Sequence, residues 1–162
     1  MTYAQNEGGI IKEICGVKFG SSLNSAKAIL EDKFGEADDV MDNVILYLGK
    51  RYGGIDFDVI VFSFNKNDSG TYLNQVIFSV LTETKTEAEQ EKENIANVIR
   101  RQYTLSSKKD SEGNVKYFGG TSPLNSNHYG FKVQSKMGVL FKERYPWEAQ
   151  LVYGPYGYGE DF

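Results

Sequence analysis

The sequence predicts an α+β fold: an antiparallel sheet with two helices packed on one of its faces. Three observations predict it. Residues 23–34 and 85–102 carry apolar side chains at helical spacing. The remaining apolar runs are short, alternate with polar residues and are broken by Gly, Asn, Asp and Ser. One sheet face and two helix stripes then have to be buried together.

Residues 10–19 read as a strand entering a turn at Gly20. In the first helix, Leu23, Ala26, Leu30 and Phe34 fall on one side. Ser21 or Ser22 can cap its start, and Gly35 suits a left-handed end. Strands follow at residues 44–48 and 55–64, separated by Gly53-Gly54. In the second of these, Ile55, Phe57, Val59 and Val61 share one face. Asp56 and Asp58 share the other with Ile60, Phe62 and Phe64. The turn-rich segment 65–70 leads into a return strand over 72–81.

The second helix has two capping-box spacings, Thr84 with Glu87 and Thr86 with Glu89. Ala88, Ile95, Val98 and Ile99 mark its buried stripe, and Arg100-Arg101 suit its C-terminal dipole. Beyond it, residues 103–108 and 114–118 flank a turn at 110–113. A loop over 119–127 precedes strands at 129–135, 139–141 and 147–153. The order helix, strands, helix, strands suggests a duplication. Asn43-Val44 before Gly53-Gly54 echoes Asn114-Val115 before Gly119-Gly120.

The 162 residues suit one domain over 1–162, with flexible ends at 1–9 and 154–162. A chain of this size buries a core without metals or disulfides. Aromatics reach 14%, with 11 Tyr and 10 Phe, so rings supply much of that core. The net charge is −4 and the basic residues are scattered, which argues against a nucleic-acid partner. No apolar run is long enough for a transmembrane helix. Thr2-Tyr3-Ala4 before Gln5 reads like the end of a cleaved export signal, which favours a periplasmic protein, with a cytoplasmic one as the alternative.

The run Gly16-Val17-Lys18-Phe19-Gly20-Ser21-Ser22, the helix end Phe34-Gly35, Gly53-Gly54, and Phe57, Phe62, Phe64 with Leu73-Asn74-Gln75-Val76-Ile77-Phe78 resemble uncharacterised small exported proteins of gut bacteria. The order of helix then antiparallel strands also resembles modules of the beta-lactamase-inhibitor-protein-like fold. The likeness covers residues 10–82. It rests on turns and core positions and implies no catalytic residue. The second half departs, with a longer helix and strands broken by loops.

No constellation of reaction grade is legible. Cys15, between Ile14 and Val17, reads as a buried structural thiol. His128 is the single histidine, and Ser122 and Ser126 near it read as loop residues. Asn65, Asn67, Ser69 and Gly70 match the start of a calcium loop, but Val76 stands where its bidentate Glu belongs. Asp38, Asp39 and Asp42 read as solvated loop carboxylates. Gly154 to Gly159 enters no helix, so it is no phosphate cradle. Gly20-Ser21-Ser22 reads as a cap.

The expected function is non-enzymatic binding of a protein, peptide or glycan. The expected ligand-binding residues are Tyr145, Trp147, Tyr153, Tyr156 and Tyr158, because exposed Tyr and Trp make stiff, amphipathic contacts. No catalytic residue, metal or cofactor is expected. The alternatives are a small hydrolase using Asp56 and Asp58, or a structural subunit of an assembly.

Overall fold

A computed structural model describes residues 9–160. Residues 1–8, expected to be flexible, lie outside the described residues, as do 161–162.

The segment expected as one strand over 10–19 is a small hairpin. Its arms are β1 (Glu13–Ile14) and β2 (Val17–Lys18). Cys15 and Gly16 both take positive φ, 54° and 80°. Two such residues reverse the chain between them, which a periodicity argument cannot see. Helix α1 (Leu23–Phe34) then begins at Ser22, whose hydroxyl accepts the Ser25 N–H at 3.2 Å. It ends at Gly35 with φ 85°.

Eight further strands build one sheet. The first four are β3 (Asp39–Met41), β4 (Val44–Tyr52), β5 (Ile55–Asn67) and β6 (Gly70–Thr82). After helix α2 (Lys85–Ile99) come β7 (Ser106–Lys109), β8 (Val115–Gly119), β9 (Phe131–Met137) and β10 (Trp147–Tyr153). The order across the sheet is β3-β4-β5-β6-β10-β9-β8-β7, antiparallel throughout. Each helix therefore precedes a four-stranded meander, and the two meanders join through their last strands. Val44 and Val115 open the second strand of each meander, and Gly53 and Gly119 stand at the ends of those strands. The paired Asn-Val and Gly-Gly echoes occupy equivalent places.

Both helices pack on the same face. Ala26 and Leu30 of α1 join Ile95 and Ala96 of α2 in one core with Ile45, Phe62, Phe78, Val133 and Leu151. Most rings meet edge-on or tilted within it, as with Phe78 and Tyr153 at 6.0 Å, while Tyr52 stacks on Phe78 at 4.5 Å. Of the two capping boxes, the one at Thr84 and Glu87 forms, so α2 starts at Lys85. The helix stops at Ile99 rather than 102, and residues 100–102 form a turn.

Other expectations are corrected. Asp39 lies in edge strand β3, not in a loop, and Asp38 accepts the Leu48 N–H at 2.8 Å. Residues 139–141 form no strand. They belong to the connection between β9 and β10, closed at its neck by the Gly138 N–H on the Pro146 carbonyl at 2.8 Å. The C-terminal segment, expected to be loose, is packed as far as Gly159, which lies against Tyr72. Tyr156 is buried, its N–H bonds Asn74 O at 2.8 Å and its hydroxyl bonds Gly130 O. The side-chain amides of Asn65 and Asn67 donate to the carbonyls of Tyr158 and Gly159, each at 2.9 Å.

Candidate functional site

In a strand, successive side chains point to opposite faces. On β10, Ala149, Leu151 and Tyr153 join the helix-side core, so Glu148, Gln150 and Val152 point the other way. The strand register extends that second face over the whole sheet. One row crosses all eight strands: Asp39, Leu46, Val61, Ile77, Val152, Lys132, Phe118 and Ser106. A second row is Leu48, Val59, Ser79, Gln150 and Gln134, and a third is Leu81, Glu148 and Lys136. Neither helix lies on this face.

The β9–β10 connection folds back over it. Val139 and Leu140 are each 59% exposed, and Phe141 is exposed beside them. Between this loop and the central strands lies a groove of about 330 Å³. Val59, Val61, Ile77, Leu81 and Val152 form its apolar wall, with Val139, Leu140 and Phe141 opposite. Its floor is polar. Ser79 Oγ donates to Glu148 Oε1 at 3.2 Å, Gln150 Nε2 donates to the same oxygen, and Gln134 Nε2 donates to Gln150 Oε1 at 2.9 Å. All four side chains are buried.

Lys132 and Lys136 stand at the β9 side of the groove. Burial holds the Lys132 ammonium below its usual range, and the positive charges of Lys116 and Lys136 push the same way. Lys108 lies over the Phe118 ring at 5.7 Å, and Tyr129 packs on Phe118 at 5.4 Å. This wing of the face is basic and aromatic.

The expected tyrosine and tryptophan surface does not form. Tyr153 is a core residue against Phe78 and Phe131, and Tyr156 is buried against Phe19 at 4.8 Å. Tyr158 covers Gly20. Trp147 is half-buried at the far end of β10, beside Lys85. Tyr145 sits in the β9–β10 loop beside Arg144. Rings that looked available to a ligand mostly pack on the protein itself, because apolar area is more favourable in a core than in water.

The other candidates are occupied locally. Asp56 pairs with Arg51 at 2.8 Å, with both side chains exposed. Asp58 accepts the Leu81 N–H at 2.8 Å. Pairing with β6 begins only after it, at Val59, and Phe57 enters the core with Ile60, so the expected alternation slips there. Neither aspartate lines the groove. His128 is exposed, its N–H on Asn125 O and its carbonyl on the Ser122 N–H. The Cys15 thiol is pushed up to about 12 by burial, so it is held protonated. The N-terminus of α1 is closed by Thr71, whose Oγ1 accepts the Leu23 N–H at 2.8 Å. Among the described residues no group of three or more His, Cys, Asp or Glu could hold a metal ion. No helix among them is long and apolar enough to cross a membrane.

The sequence reading passed over Glu148, Gln150 and Gln134. Part of their signal was present, since Glu148 and Gln150 alternate with Trp147, Ala149 and Leu151 along β10. Alternation says which residues share a face. It does not say that a loop will fold over that face. Compared with known protein families, curated proteins and solved structures, the chain matches none.

Proposed function

We propose that this chain is a non-enzymatic binding domain that seats a peptide in the groove on the helix-free face of its sheet. The groove carries this reading: about 330 Å³ with aliphatic walls, a ladder of buried amides beneath and an exposed apolar loop above. Concave, mostly apolar sites with a few placed polar groups are where ligands bind. Aliphatic walls suit apolar side chains, and side-chain amides suit a peptide backbone. A sugar would ask for an exposed ring platform, and Trp147, Tyr153 and Tyr156 do not line the groove. The basic wing at Lys116, Lys132 and Lys136 favours acidic groups in the ligand, in a chain whose net charge is −4.

A peptide-display selection against the whole chain tests this. Recovered peptides are expected to bind the parent chain and to lose roughly tenfold or more in affinity on Leu140→Asp, a change that puts charge in an apolar contact. Thermal melts of Leu140→Asp are expected to match the parent, since that side chain is exposed. Failure to recover any peptide, or equal binding to both chains, overturns the proposal.

A further inference from the structure

The floor of the groove holds a carboxyl group that forms no ion pair among the described residues. Glu148 is 5% exposed, and both bonds it receives arrive at Oε1. Among the described residues nothing donates to Oε2, and no ammonium or guanidinium group lies within ion-pair distance of either oxygen. A buried carboxylate without a positive partner is costly. Glu148 is among the residues that line the groove, so a cation arriving from outside would offset that cost.

An unneutralised positive charge stands further along the same groove. Lys132 lies opposite Val152 across the β9–β10 ladder, four residues along β10 from Glu148. It is half-buried, and among the described residues it has no carboxylate within ion-pair distance. Four residues of strand span about 13 Å, and the reach of the two side chains shortens the gap between their charges. Lys136 stands directly opposite Glu148, but it is exposed and its charge is screened by water.

We infer that the groove takes a short free peptide of about two or three extended residues in its zwitterionic form, with its terminal ammonium on Glu148, its carboxylate on Lys132 and its apolar side chains against Val59, Val61, Ile77 and Phe141. This rests on the peptide-binding reading and narrows it from internal segments to free chain ends.

Calorimetric titration of the whole chain with Leu-Leu-Leu, N-acetyl-Leu-Leu-Leu and Leu-Leu-Leu-amide tests it. The free tripeptide is expected to bind. Acetylation and amidation are each expected to weaken binding roughly tenfold or more, the worth of a charge-assisted hydrogen bond. On Glu148→Gln the free and acetylated peptides should bind alike, and on Lys132→Met the free and amidated ones should. Lys136→Met is expected to leave the free tripeptide's affinity within about threefold, as for a screened rim charge. The two blocked peptides test the inference on the unaltered chain, so it does not depend on a variant folding. Binding unaffected by blocking either end overturns it. If displayed peptides bind and Leu-Leu-Leu does not, the free-end reading falls and the peptide-binding reading stands. If neither binds, both fall.

Discussion

The Lys92 ammonium donates to the carbonyl oxygen of Val115 at 2.8 Å, joining α2 to the start of β8 across 23 residues of chain. Lys92 also pairs with Glu89 at 2.8 Å and lies 3.8 Å from Glu93. Glu93 accepts the Tyr117 hydroxyl, and Glu89 accepts the Ser135 hydroxyl. This network seats one face of α2 on β8 and β9. The Lys92 side chain is 2% exposed, so it stands on the buried stripe between Ala88 and Ile95.

Lys92→Ala should therefore destabilise the fold by about 3 kcal/mol, because it leaves a carbonyl and a carboxylate without their shared donor. Lys92→Met should lose less, since it keeps the packing of the stem. Urea denaturation with an unchanged slope checks both values.

Glu89 sets an acid limb. Burial pushes its carboxyl up, but the bonds from Lys92 and Ser135 outweigh that and hold it below its ordinary 4.5. A lowered folded value means stability that is present above 4.5 and lost as the pH falls through the folded value. Melting temperatures are expected to drop below pH 4.5, and Glu89→Gln should flatten that drop. An equally steep drop in the variant would assign the limb to other carboxylates.

Buried tyrosines set the alkaline limb. Burial pushes Tyr52 up to about 12 and holds Tyr153 well above the ordinary 10. The folded state keeps protons that the unfolded chain releases. Stability is then complete below pH 10 and declines as the pH rises from 10 towards 12. Exposed rings such as Tyr129 ionise without unfolding, but the phenolate absorbance of Tyr52 and Tyr153, read as the part lost in Tyr52→Phe and Tyr153→Phe, should rise together with unfolding, not before it. Ionisation of these rings in a chain that stays folded would contradict their burial.

Gly154→Ala tests the packed tail. Gly154 has φ 90°, and a Cβ there would run into the Asn74 carbonyl, which also accepts the Tyr156 N–H. Backbone strain and the displaced segment should together cost about 2 kcal/mol or more. Hydrogen exchange at the Tyr156 amide should then approach that of an open loop.

Much of this molecule was legible because local physics wrote it. The face of α1, the Thr84 and Glu87 cap, and the β5–β6 pair all follow from spacings of a few residues. The errors share a cause as well. The slip at Asp58 and the packing of Tyr156 depend on partners far along the chain, Leu81 and Gly130. So does the candidate site, since the tyrosines of β10 and the tail face or fill the core, while the groove sets aliphatic walls over a floor of polar strand residues.

The sequence by itself determined the α+β class, the antiparallel strands and both helices, because periodicity and capping act over one or two turns of chain. Tertiary structure alone decided that β6 and β10 would meet in the middle of the sheet. It also decided that the β9–β10 loop would lie over the helix-free face, and that Glu148 would be buried there with no ion pair among the described residues. Those outcomes depend on which surfaces find each other when the two meanders close, and no short stretch of sequence carries that information.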